Sequence, residues 1–252
     1  MSLFDPLSQF VPETVRVADG AVVQFRRARG VGADGTAVTH VLLHGIGSAS
    51  ASWLAQLQQV RAAARPCSHL LAWDAPGYGA STALPMPAPR AADYAARLWA
   101  WLDALQALRP VVLAGHSLGA LMAAAAAVQQ PARVARLVLL APAQGYAQAS
   151  AALRQRKLDE RLANLAALGP AGIARSRAPV MLSEQADTAQ IAFVEQVMAQ
   201  IDPAGYTQAA RMLADGDLAA DLRALACPIT IANGDADTIT PAQAGRTLAQ
   251  QL

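Results

Sequence analysis

The sequence predicts an α/β protein: a mostly parallel, doubly wound sheet with a helical insertion late in the chain. Three observations carry this. Short apolar segments of strand character alternate with segments of helical spacing, the pattern of a parallel sheet covered on both faces. Hydrophobic residues make up 54% of the 252 and charged residues 15%, which suits a sizeable core and argues against disorder. From about residue 143 to about 224 the alternation stops, and the chain reads as helix with no convincing strand.

In order, TVRVADGAVVQFRRA reads as two short strands around an Asp19-Gly20 turn. HVLLHG, at 40–45, is a third strand. Trp53, Leu54, Leu57 and Val60 have helical spacing, so a helix follows. HLLAWD, at 69–74, is a buried strand, and the proline-rich PMPAPR is a loop. Tyr94, Leu98, Trp101, Leu102 and Leu105 mark an amphipathic helix. VVLAGHS is a strand at 111–117, LGALMAAAAAVQQ a helix, and VARLVLLAP a strand at 134–142. After the insertion, CPITIANG at 227–234 is the last strand, and PAQAGRTLAQQL a helix.

The bulk properties exclude several classes. A net charge of +2 without a basic run argues against a nucleic-acid partner. No apolar run is long enough to span a bilayer, and the first residues lack the pattern of a signal peptide. Two isolated cysteines, Cys67 and Cys227, make no disulfide framework and fit a reduced, cytoplasmic setting. Histidines and cysteines are scattered singly, so no metal site and no cofactor is expected.

The sharpest chemical signal is GHSLG at 115–119, a G-x-S-x-G between a strand and a helix. A serine there sits on a tight, strained turn that only small neighbours permit. Ser117 is then lifted above the sheet at a helix N-terminus, where the Leu118 N–H can meet an oxyanion. HGIGS, at 44–48, follows the earlier strand, and the Ile46 N–H is the expected second oxyanion donor. His44, Gly45 and His116 are candidates for lining the site, although elbow geometry directs His116 towards the sheet packing. DAPGYGAST, at 74–82, reads as a rigid turn whose Asp74 holds the loop by hydrogen bonds.

Taken in order and spacing, LLHGIGSASASW, WDAPGYGAS, GHSLGA and IANGDADTITP resemble the α/β-hydrolase superfamily. The similarity is greatest to its cap-bearing branch of esterases, enol-lactonases and C–C-bond hydrolases, and it covers essentially the whole chain. The resemblance implies a hydrolase core at 1–142 and 225–252, a helical cap at 143–224, and a triad in the chain order serine, acid, histidine. The family's G-x-x-D pattern runs here from Gly234 to Asp237, which makes Asp237 the expected acid and Asp235 its competitor. The implied substrate is a small ester, lactone or related carbonyl compound.

One part of the pattern is missing. A serine hydroxyl needs a base, and the four histidines, His40, His44, His69 and His116, all precede Ser117. The family's final strand and helix are also absent after 252, so a C-terminally shortened hydrolase with impaired activity is the expectation. Among the histidines present, His44 is the first choice for a substitute base. Cleavage of a C–C bond in a vinylogous diketone is the alternative chemistry. His116 before the serine and Leu118-Gly119-Ala120 after it lean instead towards ester or lactone cleavage. A non-catalytic ligand-binding protein on the same scaffold is the alternative of a different class. Within the insertion, Arg175 and Arg177 are candidates to meet a substrate carboxylate, and Met181, Met198 and Met212 to line an apolar pocket. All four tryptophans, Trp53, Trp73, Trp99 and Trp101, are expected in the core.

Overall fold

The computed structural model describes residues 3–30, 37–62 and 68–252; Cys67 lies outside them. A single helical turn, α1 (Phe4–Leu7), precedes strands β1 (Glu13–Arg16) and β2 (Val22–Arg29). Then come β3 (His40–Leu43), α2 (Leu54–Ala62), β4 (His69–Trp73), α3 (Ala91–Ala104), β5 (Val111–His116), α4 (Gly119–Gln129) and β6 (Val134–Leu140). Four helices follow: α5 (Ala151–Met181), α6 (Thr188–Met198), α7 (Pro203–Asp215) and α8 (Leu218–Arg223). After them lie β7 (Ile229–Ala232) and α9 (Ala242–Ala249).

The seven strands form one sheet in the order β1-β2-β4-β3-β5-β6-β7. β2 runs antiparallel to β1 and β4, and every other pairing is parallel. The expected fold class is therefore present. The β1–β2 turn is tied by Asp19, whose Oδ1 accepts from Ala21 N at 3.0 Å, and by Gly20 N donating to Val17 O at 2.9 Å. The strands end one or two residues before the apolar runs do, because those runs continue into the turns that follow.

The central strands are apolar on both faces, and their residues alternate between two cores. Val41, Leu43, Leu71, Trp73 and Leu113 pack on one side with α3 and α4. Leu42, Leu70, Ala72 and Ala114 pack on the other with α1 and α2. The alanine run of α4 has a structural use: Ala123, Ala124, Ala126 and Ala127 are buried, and Trp99 of α3 donates from Nε1 to Ala126 O at 3.1 Å. Small side chains let α4 lie close to both α3 and the sheet.

From β3 the chain crosses to β4 on one side, then to β5 on the other. The strand order thus reverses between β3 and β5, and their carboxyl ends open a crevice there, where α/β sheets bind ligands.

Candidate active site

Ser117 stands at the end of β5, directly at this crevice. Its φ is +51°, a left-handed conformation that a non-glycine residue rarely adopts. The strain is held from several sides. Ser117 N donates to Leu140 O at 3.0 Å, and its carbonyl accepts from Ala120 N and Ala143 N, each at 3.1 Å. The two motif glycines are required by close approach. A Cβ on Gly115 would come within 2.4 Å of Gly119 O, and one on Gly119 within 2.2 Å of Leu43 O. Gly45 lies close as well, though less tightly, with Ser117 Cβ 3.1 Å and His116 Nδ1 3.3 Å from where its own Cβ would be.

Ser117 opens onto a cavity of about 1050 Å³. Gly45, Ile46 and His116 line it, together with Trp53, Met181 and Met198. No hydrogen bond among the described residues engages the Ile46 or Leu118 amide. Ile46 lines the cavity, whereas Leu118 is buried directly behind Ser117.

The histidines fall into distinct positions. His44 is wholly buried and does not line the cavity. Its Nδ1 donates to Gly45 O at 2.8 Å, which leaves Nε2 to accept from Ala75 N at 3.0 Å. Both nitrogens are occupied, and burial pushes its pKa down despite the nearby Asp74. His44 therefore braces the loop after β3, and with both ring nitrogens engaged the expectation of it as a substitute base gives way. His116 takes the candidate place on the cavity wall, edge-on to Trp53, and not the sheet packing that its position next to Ser117 suggested. Burial lowers its pKa, with Asp237 acting in the opposite direction. His40 and His69 open β3 and β4 at the far end of the sheet.

Asp237 lies in the turn after β7, half-buried, whereas Asp235 is exposed. Its Oδ1 accepts from Ile239 N at 2.8 Å and Thr240 N at 2.9 Å, and its Oδ2 from Thr240 Oγ1 at 2.7 Å. Burial raises its pKa, but these donors outweigh burial and hold the carboxyl below its usual range. Asp237 is thus a preformed carboxylate within electrostatic reach of His116, although no histidine hydrogen-bonds to it. Asp74 behaves as a loop anchor, accepting from Ser50 N at 2.6 Å and Gln24 Nε2 at 2.6 Å.

The helices between β6 and β7 supply the cavity's outer wall. Arg177 lines it, but Arg175 does not. Arg161 and Tyr206 line it too, and periodicity had not singled them out. Met212 is buried in the main core instead, and Trp53 serves both core and cavity wall. Cys227 is half-buried against the core, and burial pushes its thiol up. Among the described residues no cluster of His, Cys, Asp or Glu could hold a metal, and no helix is long and apolar enough to cross a membrane.

The sequence pattern of the alpha/beta hydrolase family matches residues 41–252. The chain belongs to this family. It is 29% identical over 223 residues to (E)-2-((N-methylformamido)methylene)succinate hydrolase of Acinetobacter baylyi, covering 84% of this chain and 77% of that one. It is 31% identical over 227 residues to the pimeloyl-[acyl-carrier protein] methyl ester esterase of Chromobacterium violaceum, covering 84% and 81%. Among solved structures, a hydrolase from Pseudomonas aeruginosa PA01 superposes with a TM-score of 0.78 at 25% identity, over 95% of this chain and 86% of that one. The elbow, crevice and sheet order described above are thus those of a hydrolase family member.

Proposed function

We propose that this hydrolase cleaves small carboxylic esters or lactones through an acyl-enzyme on Ser117. The observation that carries the reading is the strained Ser117 at the cavity mouth, with two unengaged amides beside it. Ser117 Oγ attacks the carbonyl carbon and loses its proton to a base. The Ile46 and Leu118 amides hold the resulting oxyanion. The alcohol leaves with a proton, or stays tethered if the substrate is a lactone. Water then attacks the acyl carbon, releases the acid and restores Ser117. The helices at 143–224 act as the cap that shapes the cavity. The names of two relatives, a methyl ester esterase and a succinate-derivative hydrolase, support hydrolysis of a carbonyl compound, and the substrate named in the second is of this size.

Asp237 is the acid that orients the base. Its oxygens already face three donors on one side, and no histidine follows it within these residues. Among the described residues no histidine hydrogen-bonds to Ser117 or Asp237, so turnover by this arrangement is expected on the order of 10⁴ to 10⁶ below that of a complete triad. Hydrolysis of p-nitrophenyl butyrate, with and without added imidazole as a surrogate base, tests this. The expected result is a slow rate that imidazole raises and that Ser117→Ala abolishes. An equal rate in Ser117→Ala, or no rate even with imidazole, overturns the proposal.

A further inference from the structure

Helix α5 is not one straight helix. At Gly169 the backbone leaves helical geometry, with φ 60° and ψ 176°, and Pro170 follows. The kink has a chemical consequence. Arg161 precedes it and Arg177 follows it, sixteen residues on. On a straight helix they would lie about 24 Å apart along the axis, too far to meet one small anion. Here both line the Ser117 cavity. Both also act on the same phenol: burial pushes the Tyr206 hydroxyl up, and the two guanidiniums pull it back.

Neither arginine is neutralised. Five other arginines, Arg27, Arg97, Arg133, Arg154 and Arg156, have carboxylate partners within 4 Å. Arg161 and Arg177 have none among the described residues; Arg161 has only the face of Tyr146, 6.0 Å away. The cavity lining contains no aspartate or glutamate. Guanidinium groups do not discharge at any ordinary pH. Two of them beside apolar walls, with no internal counterion, favour an anionic occupant.

We propose that Arg161, Arg177 and Tyr206 form an anion-binding subsite within the Ser117 cavity, so that the ester or lactone taken there carries a free carboxylate. The forked guanidiniums bind the carboxylate, Tyr206 donates its hydroxyl, and the scissile carbonyl is left to reach Ser117. This rests on the reading of the cavity as the hydrolytic site, and it adds the chemical class of the substrate.

The test is calorimetric and separate from turnover. Monophenyl glutarate, an anion, and methyl phenyl glutarate, its neutral diester, are titrated into the Ser117→Ala protein. The expected result is at least about tenfold tighter binding of the anion. Arg161→Met and Arg177→Met should each weaken the anion about tenfold and leave the neutral diester unchanged, which also reports an intact fold. Equal affinities for the two esters overturn the subsite, as does an anion affinity that neither arginine variant alters. Absence of binding by either ester overturns it too. Labelling of Ser117 by a neutral fluorophosphonate decides the hydrolytic reading independently of all these outcomes.

Discussion

The turn at Ser117 and the long helix α5 border the same cavity, but they are built in opposite ways. The turn is fixed by contacts at van der Waals limits: Gly115 on Gly119, Gly119 on Leu43, Gly45 on Ser117. At Gly115 and Gly119 only glycine fits, so the motif is written into a few letters. Helix α5 is mostly exposed, and the space around its kink is open, with nothing within 4 Å of a Cβ on Gly169. In the proposed reaction the rigid half holds the nucleophile, and the loosely determined half selects what reaches it. Conserving the chemistry while changing the substrate would require altering only the second.

Substitutions can break this contrast. The largest effect is expected for Gly119→Ala, whose Cβ would enter the Leu43 carbonyl. About 4 kcal/mol or more of stability should be lost, with Ser117 displaced, as read by urea unfolding. Leu113→Ala, in the wholly buried centre of β5, should cost about 3 kcal/mol in the same measurement. Leu168→Ala, on the cavity side of α5 where the side chain is 49% exposed, should stay within about 0.5 kcal/mol. If the two leucines cost the same, the contrast between the regions fails.

Acid should act on the sheet side before it acts on the helices. Burial, with help from Arg27 and Arg29, pushes His69 down to about 4, and burial lowers His40, His44 and His116 as well. Between the unfolded value near 6.5 and the folded value, the unfolded chain binds more protons. Stability is therefore full above pH 6.5 and falls as the pH drops towards 4. A drop in Tm of roughly 5 °C or more over that range is expected by calorimetry, and a flat profile would contradict the neutral burial of these rings. Gly169→Ala acts through the backbone alone: φ 60° with ψ 176° is a conformation essentially confined to glycine, so about 1–3 kcal/mol should be lost without any clash, and a shifted kink should move Arg177 relative to Arg161 and weaken anion binding.

The same contrast explains what the sequence discloses. The five parallel strands could be read from short apolar runs, the first two from the Asp19-Gly20 turn between them, and Ser117 from two glycines, because all depend on neighbours in the chain or on forced contacts. The four-residue helix α1 carries too few turns for periodicity to show. The roles of His44 and His116 depended on ring orientation. His44 is occupied by Gly45 and Ala75, thirty-one residues apart from the latter, which no local pattern records. Arg161 was illegible because its place on the cavity wall depends on the bend at Gly169, not on its position in a 3.6-residue period. The Gly169-Pro170 pair within a helical stretch was the available signal.

The central claim is that Ser117 is an activated nucleophile in a prepared oxyanion site. Intact-mass spectrometry after incubation with a neutral alkyl fluorophosphonate tests it most directly, with imidazole supplied as a base. The account predicts a single added phosphonyl group, mapped to Ser117, formed faster with imidazole and absent from Ser117→Ala. An unmodified protein under all conditions, or a label on another residue that persists in Ser117→Ala, would contradict it.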